Sequence, residues 1–262
     1  MTPSIPGYLF AFESTFSALV AAIGLGLIWM GAARMEAPAQ SRYATAGALS
    51  VALIVWLVVA QYLGSANTYS ATTDAAVPTV LFGLLIPLIA AAVGLWLSGS
   101  ITSLVSAIPL PWIVAAQIYR IGGGIMLVLW ADGRLPWQFA LPAGIGDVVT
   151  GCFAVVVAAL LARKAVTARR AVYTWSLFGI ADLVVALTMG AMTSPGRAHL
   201  FAFDAPNLLI SSYPLVMIPT FGVPLALMLH GLVLWRLRRE AGSPGRFAAA
   251  GGLRQGLQDG GH

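Results

Sequence analysis

Arg120, Asp147 and Asp182 are the residues from which chemistry would be built. Each stands inside a long apolar run. A charge within hydrocarbon is costly, so such residues face a bundle interior or a water-filled cavity and pair with one another. One arginine with two carboxylates can hold an anionic group, pass a proton between acids, or lock helices together as a static ion pair. Gln117 lies three residues before Arg120, and Gly123 and Gly124 lie three and four after it. On a helix these positions share one face. The arginine side is therefore expected to be the closely packed side as well. Glu13 in the first apolar run and Gln61 near the end of the second complete the candidate polar set.

The rest of the chain must place these groups inside a membrane. Of its 262 residues 59% are hydrophobic and 9% charged. A soluble domain carries roughly 25% charged residues, so there is too little charge here to cover a water-facing surface. A membrane span needs about 20 mostly apolar residues. Seven stretches qualify, at 8–33, 43–65, 78–98, 110–131, 143–162, 172–192 and 213–235. Backbone groups in lipid must be satisfied within the segment, so all seven are expected to be helices. The fold class is an all-α integral membrane bundle over residues 1–240, with a disordered cytoplasmic tail at 241–262. Basic residues gather in loops 34–42 and 163–171 and after Trp235, while the alternate loops are neutral or balanced. That alternation predicts an outside N-terminus and a cytoplasmic C-terminus, and points to a plasma membrane of bacterial inner-membrane type. Trp130 and Trp137 suit the outer interface, and Trp29, Trp96 and Trp235 the inner one. The net charge of +5 then serves orientation and contact with anionic lipid, not nucleic acid. No basic region precedes the first apolar run, so no cleaved signal peptide is expected.

Within this frame Arg120 and Asp182 fall at mid-membrane and are expected to pair, with Asp147 as second partner. Asp147 is placed in or near the first turn of helix five, after an interfacial turn or short re-entrant element at Leu135–Pro142. A helix N-terminus there would favour a carboxylate. Gly144 and Gly151 flank Asp147 on one face, and Gly179 lies on the face of Asp182. All are expected at helix contacts, whereas Gly31 at the inner end of helix one should tolerate a side chain. Gly144-Ile145-Gly146-Asp147-Val148-Val149 is echoed 35 residues later by Gly179-Ile180-Ala181-Asp182-Leu183-Val184, as in the remnant of an inverted repeat. Glu13 either points into the bundle, on the face of Ser17, Ala21 and Gly24, or snorkels to water at the outer interface. Helix seven carries Pro214, Pro219 and Pro224. His230, in its inner third, is read as a hydrogen-bonded core residue. The long 193–212 loop carries Leu200, Phe201, Phe203, Leu208 and Leu209, which suit the outer membrane surface and a lid over the bundle.

Several chemistries are excluded by residue type. A retinal Schiff base needs a lysine in the membrane, and Lys164 is in a loop. Haem or di-iron ligation needs several buried histidines, and only His230 lies in a span. One cysteine, Cys152, leaves no disulfide and no CxxC motif. There is no P-loop and no GxGxxG. No metal, cofactor or nucleic acid is therefore expected. Gly144-Ile145-Gly146-Asp147 resembles the GxGD motif of the intramembrane aspartyl proteases of presenilin and prepilin-peptidase type. That resemblance covers four residues and implies a proteolytic dyad with Asp182. In those families the partner aspartate precedes the motif, and a PAL sequence follows on a later helix. Here Asp182 follows it, and no PAL sequence occurs.

Read from the residues themselves, Glu13, Gln61 and Asp147 lie in the outer half, with Arg120 and Asp182 deeper. They sketch a funnel open to the outside with Arg120 at its base. Three acids against one arginine leave excess negative charge, which a proton or water would have to offset. The expected function is a small-solute or proton-linked transporter. The alternatives are the protease and a non-catalytic membrane subunit or sensor whose ion pairs fix packing. The expected partners are the lipid bilayer and a small-molecule solute.

Overall fold

The computed structural model describes residues 5–71 and 78–241. Asp74 and all but the first residue of the disordered tail expected at 241–262 lie outside the described residues; Ala241 ends the last helix. The described chain is helical and strand-free. In chain order, α1 (Tyr8–Arg34) is followed by α2 (Ala39–Ser65) and α3 (Val80–Leu97), then by a short α4 (Gly99–Ala107). The fourth span is composite. α5 (Leu110–Ala115) leads into a 3₁₀ segment at Ala116–Gly124, which continues as α6 (Ile125–Ala131). Two long helices follow, α7 (Trp137–Ala162) and α8 (Ala168–Thr193). The last span opens with a π-helical turn at Ile218–Gly222 and runs on as α9 (Val223–Ala241). Seven of these helical stretches are long and apolar enough to cross a membrane.

The up-and-down course gives two faces. The starts of α1, α3, α7 and the last span, and the ends of α2, α6 and α8, share one face with the N-terminus, called here the N-face. Trp130 and Trp137 lie toward that face. Trp29 and Trp96 lie toward the opposite one, and all four are exposed. Two aromatic girdles at the ends of apolar spans are what a bilayer selects. Most arginines outside the spans lie at the opposite face. Arg236 there donates to the carbonyls of Val105 (3.3 Å) and Ile108 (2.8 Å), capping the C-terminal end of α4.

Three boundaries differ from the sequence expectation. Residues 99–107 are not loop but α4, started by the Ser98 hydroxyl accepting from the Ile101 amide at 3.3 Å. Leu135–Pro142 forms no separate re-entrant element. Pro136 sits at the N-cap and α7 begins at Trp137, with Pro142 inside it. A proline so near the start removes only the bond to the Gln138 carbonyl, so the helix runs through it. Asp147 is therefore ten residues into α7 and not an N-terminal acid. The third difference is Pro214, which precedes the last helix instead of belonging to it.

The last span is irregular because of its remaining prolines, and three side chains compensate. Pro224 has no amide to give to the carbonyl of Thr220, four residues earlier. The Trp56 indole donates to that carbonyl instead, at 3.2 Å. The Tyr119 hydroxyl donates to Gly222 (2.9 Å) and the Gln117 amide to Ala226 (3.0 Å). Irregular backbone at membrane depth persists only where protein satisfies it in this way. Two of the three donors come from the 3₁₀ segment, so the irregular parts of spans four and seven hold each other in place.

Candidate functional site

The 3₁₀ segment carries the central residue. In a 3₁₀ helix residues three apart stack on one face, so Gln117, Arg120 and Gly123 project together. Arg120 is 2% exposed and is gripped from three other helices. Its Nε and Nη2 both reach Oδ1 of Asp147 on α7, at 2.7 Å. Nη2 also donates to Oδ2 of Asp182 on α8. Nη1 donates to the Gly179 carbonyl at 3.3 Å and meets His230 Nε2 on α9 at 3.3 Å. A guanidinium nitrogen can only donate, so Nε2 is the acceptor and the imidazole proton sits on Nδ1. No described residue takes a hydrogen bond from Nδ1. The Trp175 ring lies 4.7 Å from the imidazole.

Glycines make this convergence possible. A Cβ on Gly123 would collide with the Asp147 carboxyl, one on Gly146 with the Asp182 carboxyl, and one on Gly179 with the His230 ring. Each acid, and the histidine, thus lies against bare backbone of a neighbouring helix. Gly144 and Gly151 face span four, where a Cβ would meet the Leu127 side chain and the Ile121 amide, each at 2.8 Å. Gly124 meets Val148. The Gly31 expectation is overturned. A Cβ there would stand 2.8 Å from the Leu104 carbonyl, because α4 packs against the end of α1.

The other candidate residues do not join this cluster. Gln117 is fully buried but turned to the α9 backbone. Glu13 is 3% exposed, which settles its two readings in favour of the bundle interior. Its Oε1 accepts from Ser17 (2.7 Å) and Gln61 (2.5 Å), and its carboxyl also bonds the Tyr213 hydroxyl. Burial and this carboxyl both push the Tyr213 phenol above its ordinary value. The funnel of Glu13, Gln61 and Asp147 is therefore two separate clusters. Asp147 belongs with Arg120.

A cavity of about 200 Å³ opens at the N-face. Its mouth is formed by Ser70, Thr79, Ser194, Arg197 and Ser211, and its walls are mostly apolar. Asp147 is the one member of the charged cluster that lines it, and the Asp147 side chain keeps 14% exposure. Residues 194–198, 210 and 211 of the 193–212 loop line this cavity. Asn207, missed by the sequence reading, ties the loop down by donating from its amide to the Thr193 carbonyl at 2.8 Å. The Asn207 carbonyl in turn accepts from Ser194 at 2.9 Å. Thr150, Trp175, Ser176 and His230 are all buried, and the Trp175 indole donates to the Thr150 carbonyl at 2.9 Å. Among the described residues no three of His, Cys, Asp or Glu are grouped to hold a metal ion. The guanidinium occupies the point where Asp147, Asp182 and His230 converge.

A family model described as a domain of unknown function, DUF8737, matches residues 75–238, more than half of the chain. The chain belongs to this family. The DUF8737 segment contains Arg120, Asp147, Asp182, His230 and the cavity walls contributed by α3, α7, α8 and α9. Glu13, Gln61 and α1 precede it. No curated protein and no solved structure matches the chain.

Alanine at Gly123, Gly146 or Gly179 should displace a buried charged or aromatic group and cost about 1–3 kcal/mol each. Gly26 and Gly47 have open space, and alanine there should be neutral or stabilising by up to about 1 kcal/mol. Thermal unfolding in detergent measures both sets, and equal tolerance would mean that the charged faces are not tightly packed.

Proposed function

We propose that this membrane protein is a proton-linked carrier of a small solute, with Asp147 as the group the solute or proton meets first. The observation that carries this reading is the position of Asp147. It lines the N-face cavity and at the same time bonds Arg120, which also holds Asp182. Anything that neutralises or engages Asp147 must loosen one of the two acids from Arg120. A change at the cavity floor is thereby coupled to contacts among α7, α8 and spans four and seven. The 3₁₀ stretch in mid-span, beside a π-helical turn, supports such a change, since both are common at functional hinges. The cavity is open at one face and the cluster packed at the other, as expected for one of the two access states of a carrier.

The protease resemblance gains no support from the geometry. An aspartyl dyad shares a proton between two facing carboxyls, whereas here a guanidinium bridges them. A purely structural ion pair would need no cavity beside it.

The N-face is taken as the outer one, because the basic loops lie at the opposite face, and the host membrane as a bacterial inner membrane. With Cys152 replaced by serine, a cysteine at exposed Thr167 should react only from the cytoplasmic side. Labelling from outside would reverse the orientation. In proteoliposomes holding a pH-sensitive dye, one class among amines, amino acids, sugars and carboxylates should provoke proton movement, and Asp147→Asn should suppress it at least about tenfold. Folded protein that moves protons with none of them would argue for the non-transporting subunit.

A further inference from the structure

We propose that the N-face cavity takes a monovalent organic cation with an apolar body, and that a proton leaves the aspartate pair as the cation arrives. This names the substrate class of the carrier reading and, for its transport step, rests on it.

The first argument is charge balance. The titratable or charged groups around the site are Arg120 and Tyr119 from span four, Asp147 from α7, Asp182 from α8 and His230 from α9, with Tyr69 after α2 and Arg197 after α8 in the cavity lining. Tyr119 donates to the Gly222 carbonyl and stays a phenol. His230 accepts from Arg120 and is neutral. Two ionised aspartates against one arginine would leave a net charge of −1 in the membrane interior, which is strongly unfavourable. The missing positive charge is either a proton on one carboxyl or a cation in the cavity.

The second argument is the lining. Arg120 lies behind Asp147 and does not line the cavity, so an anion entering it would meet a carboxylate. Arg197 is exposed at the mouth, away from the floor. Met126, Phe139, Leu183 and Ala186 offer no oxygen cage for an inorganic ion, but they suit an apolar body. Phe139 and Tyr69 put two aromatic rings in the lining, and aromatic rings attract alkylammonium groups. The volume exceeds the roughly 150 Å³ that suffices for a benzene-sized ligand. The cavity also lies between α3 and α8, which both pack on α9 but scarcely on each other. That gap gives an apolar molecule a route from the lipid.

The exchange conserves charge. Without the cation, one carboxyl is protonated, the other ionised, and Arg120 balances it. When the cation binds, the acid O–H bond breaks, its electron pair stays on the carboxylate and the proton passes to cavity water. The site is neutral before and after.

The test uses the full chain in detergent and benzyltrimethylammonium as probe, with calorimetry from pH 6 to 8 and a pH dye in weak buffer. Saturable binding that tightens with pH, by up to about tenfold per unit, and release of one proton per cation are expected. Asp147→Asn should weaken binding about tenfold or more and abolish proton release. Leu187→Trp, which fills the cavity away from the charges, should block binding while the helical circular dichroism is kept. If Asp147→Asn does not fold, Leu187→Trp decides. No saturable binding to the unmodified protein, binding without proton release, or full binding in the folded variants overturns the proposal. Cation binding with proton release but no pH-driven uptake in vesicles leaves the ligand class standing and removes the carrier reading. Proton-coupled uptake of a neutral or anionic solute without cation binding does the reverse.

Discussion

An arginine that cannot lose its proton, buried among seven helices apolar enough to cross a membrane, has to be matched from several directions at once. Arg120 is matched by Asp147 and Asp182, by the Gly179 carbonyl and by His230. These partners come from three helices other than its own. In lipid there is no hydrophobic drive to bring helices together, and association depends on close packing and on polar contacts. The guanidinium therefore acts as the point at which span four, α7, α8 and α9 are fastened. Removing one acid leaves a buried cation underpaired, which is strongly destabilising, whereas removing the whole set leaves only a packing defect.

The same requirement explains the glycines and the irregular backbone. Carboxyls can converge on one guanidinium only if the helices that carry them come close, and Gly123, Gly146 and Gly179 clear the space. The 3₁₀ winding of Ala116–Gly124 stacks Gln117 and Arg120 on one side, so that one segment serves two purposes. Gln117 and Tyr119 satisfy carbonyls of the last span, and Arg120 gathers the acids. Asp147 alone of the cluster also lines a cavity, and the proposed carrier role rests on that position.

Much of this was legible in the sequence. Seven spans follow from hydropathy, because backbone in lipid leaves few alternatives to helix. The partnership of Arg120 with Asp182 and Asp147 follows from cost, since few charges exist at that depth. Less legible was the start of α7. Two prolines in Leu135–Pro142 looked like breakers, yet Pro136 caps the helix and Pro142 costs one bond, so Asp147 moved from the first turn to the interior. Glu13 and Gln61 were grouped with Asp147 by depth, but depth carries no information about azimuth, and they form their own cluster with Ser17 and Tyr213. Gly31 was misjudged because a neutral loop hid a packed helix, α4. His230 looked like an isolated core histidine, and only its arrival beside the Gly179 backbone connects it to Arg120. The small residue at 179 was the available signal.

The central claim is that Arg120 and Asp182 stabilise the fold as an interacting pair within the membrane. A double-mutant cycle of Arg120→Leu, Asp182→Leu and both together, scored by unfolding in detergent, tests it most directly. Each single change should cost about 3–5 kcal/mol and the double change clearly less than their sum. Simple additivity of the two losses would contradict the account.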